Sequence, residues 1–209
     1  MHEKVLPKGS KRLLAKLAGS RSAALKGWTL AGGTGLALQL GHRVSEDFDF
    51  FRTDPVDLPA LLDILDSDKD CETLQEAERT LTVIASGVKM SFFVVAHPLL
   101  FKARPYLFFR IADVRDIALM KLAAIAGRGS RKDFVDLYTV LRRGPILRDY
   151  LDLMPKKYGV GRSNLYHVLK SLTYFEDAEQ EPMPRMLEPF DWTECKAFFI
   201  REAHAMVLQ

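Results

Sequence analysis

Two aspartates and a pair of glycines are where this sequence could do chemistry. Asp47 and Asp49 stand one residue apart in the run Asp47-Phe48-Asp49-Phe50-Phe51. Acid alternating with aromatic is the period-two pattern of a strand with one polar face. It predicts both carboxylates on one side and Phe48 and Phe50 in the core. Two adjacent carboxylates repel unless positive charge lies between them. A hard divalent cation supplies that charge, typically Mg²⁺ completed by substrate phosphates. A pair of such ions can activate an attacking hydroxyl and stabilise a departing pyrophosphate oxygen. The competing reading is an edge strand whose acids only face water.

Upstream, Trp28-Thr29-Leu30-Ala31 reads as a short buried strand entering the turn Gly32-Gly33-Thr34. A helix from Gly35 to Leu40 follows, ended by Gly41. Two glycines let a backbone approach a bulky anion and take positive φ freely. The start of the helix offers unpaired N–H groups and a positive dipole end, a ready phosphate site, and Thr34 adds a hydroxyl donor. Glycine turns before helices are common, so the turn gains meaning from the acids that come after it.

The elements that must position these residues are legible in outline. Residues 10–25 read as a helix. Pro55 opens an amphipathic helix to about Leu65. Thr80 to Ala85 and Val88 to Ala96 are strands joined at Ser86-Gly87, and Tyr106 to Ala112 adds another. From Val114 the chain reads helical over 114–126, 131–142, 145–154, 163–175 and 191–207, with a Pro-rich loop from Glu181 to Pro189. Strands first and helices later predict an α+β protein. We expect a small mixed β-sheet domain over 1–112 and a helical C-terminal region over 113–209 that completes an active-site cleft.

Composition narrows the class. The 209 residues are 48% hydrophobic and 27% charged, which suits a globular core. No apolar run approaches the roughly 20 residues that span a bilayer, so no membrane association is expected. Two cysteines far apart argue against a disulfide scaffold or a Cys-ligated zinc, and a cytoplasmic location is expected. The net charge of +3 is unevenly spread. Residues 1–26 carry seven basic residues and one acidic, 46–78 carry twelve acidic and two basic, and 102–143 carry ten basic and four acidic. Basic segments flanking an acidic one suit a site that gathers cations and attracts polyanions; solvated helix faces are the alternative.

The stretch from Ala31 to Phe51, Ala-Gly-Gly-Thr-Gly-Leu-Ala-Leu-Gln-Leu-Gly-His-Arg-Val-Ser-Glu-Asp-Phe-Asp-Phe-Phe, resembles the signature of the AbiEii/AbiGii nucleotidyltransferase toxins. These belong to the DNA polymerase β-like nucleotidyltransferase superfamily. A second block, Asp116-x4-Lys121 followed by Arg128-Gly-Ser-Arg-Lys-Asp133-Phe-Val-Asp136-Leu, is similar to the later motifs of the family. The resemblance implies that Gly32, Gly33 and Thr34 cradle triphosphate oxygens and that Asp47 and Asp49 bind Mg²⁺ or Mn²⁺. It implies that Lys121 neutralises the triphosphate and that Asp133 or Asp136 is the acid of the last motif. Arg43 and Ser45, with His42, would shape the loop beside the metals; Arg128 and Arg131 are candidate phosphate or acceptor contacts. The implied activity is nucleotide transfer from an NTP to a hydroxyl acceptor, tRNA or other RNA among the candidates, by a toxin paired with an antitoxin protein.

Each of these residues has a plainer reading. Lys121 sits among apolar residues and could snorkel to water. Asp133, three residues after Ser130, could only favour a helix start. Asp136 could form an exposed ion pair with Lys132. One feature departs from the family: a third carboxylate is expected on a later strand, and Val88-Lys-Met-Ser-Phe-Phe93 offers Ser91 there. That motivates an alternative, a nucleotide-binding or protein-interaction module that kept the fold and lost transfer. A dinucleotide fold fails because Leu38 occupies the third glycine position, and no Gly-Lys-Ser/Thr exists for a Walker loop.

Overall fold

A computed structural model describes residues 1–67, 69–159 and 164–207, in two compact units, Met1–Asp113 and Val114–Gln209. The first unit contains α1 (Lys8–Ser20), β1 (Thr29–Leu30), α2 (Gly32–Leu40), β2 (Phe48–Arg52) and α3 (Leu58–Leu65). It continues with β3 (Cys71–Ala77), β4 (Thr80–Ala85), β5 (Val88–Val94), β6 (Arg104–Tyr106) and β7 (Phe109–Ile111). The strands form one sheet in the order β3-β4-β5-β2-β1-β7-β6. It is mixed: β2 runs parallel to β5 and β1 parallel to β7, while β1 and β2 are antiparallel.

Register in this sheet is set by aromatic burial. Phe48, Phe50 and Phe92 are buried, Phe50 stacks on Phe92 at 5.0 Å, and Trp28 meets Phe92 edge-on at 5.0 Å. Leu13, Leu14 and Leu17 of α1 and Leu58, Leu61 and Leu65 of α3 complete that core. Each buried ring contributes about 2–3 kcal/mol. A one-residue slip of β2 would lose those contributions and drive Asp49 into the core. The β4–β5 hairpin turns on Ser86 (φ 50°) and Gly87 (φ 73°), two successive positive-φ residues whose twist suits a two-residue connection.

Local expectations shift in several places, and the strand expected over Tyr106 to Ala112 is instead the antiparallel pair β6 and β7 with a turn at Leu107. Helix α2 begins at Gly32 rather than Gly35, so both glycines lie in its first turn. Helix α3 begins at Leu58, not near Pro55, because Asp57 caps it by accepting from the Ala60 N–H and Pro59 takes the first turn. Strand β3 was not foreseen: it is a largely exposed edge strand, so it carries no hydrophobic alternation to read.

The second unit contains α4 (Val114–Arg128), α5 (Arg131–Leu141), α6 (Leu147–Tyr158), α7 (Leu165–Ser171), α8 (Glu176–Gln180) and α9 (Trp192–Val207). Every residue of α5 from Asp133 to Leu141 is buried. Within the unit it packs on α4, α8 and α9, and Phe134 meets Phe175, Trp192 and Phe199 with ring centres 5.0, 6.1 and 5.5 Å away. The start of the helix expected over 163–175 lies outside the described residues. Its described part ends at Ser171, with α8 as a separate short helix. A mixed sheet followed by helices is the expected α+β class. Among the described residues no helix is long and apolar enough to cross a membrane.

Candidate active site

In the first unit the glycine turn and the acid pair face each other. The Ala31 N–H donates to the Asp49 carbonyl at 3.0 Å, seating the end of β1 against β2. Gly32 follows with φ 60°, and a Cβ there would stand 2.6 Å from Asp49 Oδ2. Only a glycine fits, so the backbone of this first helical turn and the Asp49 carboxylate border one space. At Gly33 a Cβ would overlap the Arg43 guanidinium and lie 3.3 Å from Ser45 Oγ. Arg43 and Ser45 are buried; Arg43 donates to the Val44 carbonyl at 3.0 Å and the Ser45 N–H to the Val5 carbonyl at 3.1 Å. They form the wall behind the turn.

Thr34 does something other than offer a free hydroxyl. It is 1% exposed, its Oγ1 lies 2.8 Å from Ser45 Oγ, and it donates to the Asp47 carbonyl. A hydroxyl has one proton, so Thr34 gives it to Asp47 and accepts from Ser45. Its contact is with the backbone that carries the acid. Asp47 and Asp49 are both partly buried, and their i, i+2 spacing puts them on one face, opposite the buried Phe48 and Phe50. They are the residues of this unit that could hold a divalent cation. Among the described residues no cluster of three or more His, Cys, Asp or Glu comes together, so further ligands would be phosphate and water oxygens. Ser91 is the register partner of Asp49, and Thr82 is the partner of Ser91, with their hydroxyls 3.4 Å apart. The position beside the acid pair is therefore held by two buried hydroxyls and no carboxylate.

The later motif residues gather in the second unit. Lys121 Nζ lies 2.7 Å from Asp133 Oδ1 and 2.6 Å from Asp136 Oδ2, and Arg128 Nε is 2.9 Å from Asp133 Oδ2. Lys121 is 5% exposed and both aspartates are fully buried. Lys121 thus does not snorkel, and Asp136 pairs inside the unit rather than with exposed Lys132. Burial alone would raise the Asp133 pKa, but Lys121 first and then Arg128 outweigh it and hold it below the usual carboxylate range. Ser130 is the N-cap of α5, yet the Asp133 carboxylate is spent on these cations. Arg131 donates to the carbonyls of Ala178 and Glu179 and covers the Trp192 ring at 5.0 Å, which accounts for it structurally.

Residues 12–92 match the family described as nucleotidyl transferase AbiEii toxin, type IV toxin–antitoxin system. The chain is also 40% identical over 178 residues to the uncharacterized protein aq_aa25 of Aquifex aeolicus, covering 83% of this chain and 84% of that one. The chain belongs to the AbiEii family. Its fold is that of solved nucleotidyltransferases. JHP933 from Helicobacter pylori aligns with TM-score 0.54 at 18% identity, over 98% of this chain and 89% of that one. MenT4, a nucleotidyltransferase toxin from Mycobacterium tuberculosis, aligns with TM-score 0.53 at 16% identity, over 93% and 80%.

One buried pair of this AbiEii-family chain escaped sequence reading. Lys157 Nζ meets Asp116 Oδ1 at 2.7 Å with both side chains buried, and Asp116 together with burial pushes the Tyr158 hydroxyl above its ordinary pKa, burial being the larger cause. The signal was present: Lys157 continues the apolar stripe Leu147, Tyr150, Leu151 and Met154 of α6, and a lysine at a core position calls for a buried acid.

Proposed function

We propose that this protein transfers a nucleotide from an NTP to a hydroxyl acceptor, releasing pyrophosphate, and acts as the toxin of a toxin–antitoxin pair. The observation that carries the reading is the close approach of the Gly32 backbone to the Asp49 carboxylate. A phosphate-binding helix start and a cation-binding acid pair open on the same space. In this reading Asp47 and Asp49 hold Mg²⁺ or Mn²⁺, which when bound lowers the charge on the phosphates and activates the acceptor hydroxyl. The first-turn N–H groups at Gly32 and Gly33 hold triphosphate oxygens, while Thr34, Arg43 and Ser45 keep the turn and the Asp47 backbone in register. The acceptor oxygen bonds to the α-phosphorus, the bond to the bridging oxygen breaks with its electron pair leaving on pyrophosphate, and the hydroxyl proton passes to solvent. Catalysis is then positioning and charge neutralisation.

In this reading Lys121, Asp133 and Asp136 act as a buried ion cluster within the second unit. The acceptor class proposed is RNA, with tRNA as the first to test, the cytoplasm is the proposed compartment, and a cognate antitoxin protein is the proposed partner. The test is label transfer: purified protein, Mg²⁺, each α-labelled NTP in turn and total cellular RNA, beside Asp49→Ala. Label in RNA that prefers one base and vanishes in the variant is expected. Ser91 at the place of a third acid favours one rival, a module without transfer; metal-dependent NTP binding with no transfer to any acceptor would establish that rival instead.

A further inference from the structure

A cavity of about 320 Å³ opens beside Asp47 within the first unit. Its lining includes Ser10 from the first turn of α1, Glu46 and Asp47 before β2, and Ser86, Gly87 and Lys89 from the β4–β5 hairpin. Three features of its wall suit a phosphate. Helix α1 has Pro7 at its N-cap with no side-chain cap and no acid in its first turn, so first-turn N–H groups lack intrahelical partners. Ser10 is 2% exposed, and among the described residues its hydroxyl makes no hydrogen bond although it lines the cavity. Lys89 precedes Met90, the register partner of Phe48, so it stands alongside Asp47, yet among the described residues no ion pair joins them.

A buried hydroxyl, an exposed ammonium and an open helix start therefore share a cavity with one of the two acids assigned to the reaction. The volume is at the lower end for a small-molecule site and matches one nucleotide unit. Glu46 and Asp47 repel phosphate, so they orient an occupant: its phosphate goes to Ser10, Lys89 and the α1 start, and its ribose hydroxyls go to the carboxylates.

We propose that this cavity is the acceptor subsite, and that it takes the terminal nucleotide of an RNA acceptor with its ribose hydroxyl at Asp47 and its phosphate at Ser10 and Lys89. The inference rests on the transferase reading above and adds where the acceptor sits and which residues select it. A phosphate contact made by Lys89 predicts an acceptor step that weakens as salt rises.

Two variants test this without unfolding the chain. Lys89→Glu changes an exposed residue. Gly9→Asp adds a carboxylate where a Cβ meets nothing within 4 Å, and an acid in the first turn favours the helix, so its melting temperature should hold or rise. Full-length variants and wild type would be compared for transfer of labelled NTP to total RNA, and for binding of a fluorescein-labelled single-stranded RNA 12-mer in EDTA. The expected result is a rise of at least about tenfold in the RNA concentration for half-maximal rate in both variants. The NTP KM should change less than about twofold, and Lys89→Arg should restore RNA binding. The slope of RNA binding against log salt should fall by about 0.7 in Lys89→Glu, one phosphate contact on a single strand. If wild type labels RNA and neither variant weakens RNA use, or both weaken NTP use equally, the subsite is wrong while the transferase stands. Label found only on protein would overturn the RNA subsite alone. No transfer by wild type to any acceptor would overturn both readings.

Discussion

The molecule contains two pairs of neighbouring aspartates whose surroundings assign them opposite work. Asp133 and Asp136 lie on a helix, fully buried, with Lys121 between them and Arg128 beside Asp133. Asp49 lies on β2 and Asp47 just before it, both partly buried, with the Gly32 backbone close against the Asp49 carboxylate. Two carboxylates around an internal cation form a closed electrostatic unit, and removing the cation leaves buried charge uncompensated. The other two carboxylates border a helix start, where an anion that brings its own cation can dock. Spacing in the sequence is similar in both cases; what differs is burial, complete for the helix pair and partial for the pair at β2.

Breaking the comparison at each end gives the largest expected effects. Asp49→Ala should reduce nucleotide transfer by about a thousandfold or more, with chemical denaturation showing stability within about 1 kcal/mol of wild type. An equal loss of stability would make Asp49 a structural acid like Asp133. Lys121→Met should destabilise by about 3–5 kcal/mol in the same denaturation experiment, because two buried aspartates lose their cation. A change under about 1 kcal/mol would mean that the cluster is not what holds α4 to α5.

Smaller perturbations sharpen the contrast. Gly32→Ala forces a side chain into positive φ and against Asp49 Oδ2, costing about 1–3 kcal/mol, and it should raise the NTP KM by roughly tenfold or more by displacing the carboxylate; an unaltered KM would detach the turn from the nucleotide. The weakest effect is on pH. The folded pKa of Asp133 is depressed, so its stabilisation is present above the unfolded value of about 3.9 and is lost as pH falls through the folded value. Stability should fall on acidification below about pH 4, and Asp133→Asn should flatten that part of the curve; an unchanged slope would remove Asp133 from the acid response.

What was legible in the sequence were the strongly patterned parts. Acid–aromatic alternation gave β2 and the facing of Asp49, and Ser86-Gly87 gave a hairpin. What was hidden depended on partners distant in the chain. Nothing local to Cys71–Ala77 reveals that it adds an exposed edge to β4. Thr34 reads as a phosphate donor until its hydroxyl is found donating to the Asp47 carbonyl. Lys121, Asp133 and Asp136 read as separate motif residues, and only the packing of α4 on α5 makes them one cluster. Lys157 would have needed the lesson that a lysine on an apolar stripe implies a buried acid elsewhere.

Strand β1 has only two residues, and it is held on one side by β2 and on the other by β7, with Leu30 paired to Ile111. The Arg110 N–H reaches the Trp28 carbonyl and the Ala112 N–H the Leu30 carbonyl. So short a strand has little of its own to keep it straight, and pairing across so long a stretch of chain forms late in folding. The glycine turn gains its full frame only after residue 112 has left the ribosome. A nascent chain shorter than that holds the acids and glycines of the site without the strand pairing that frames them.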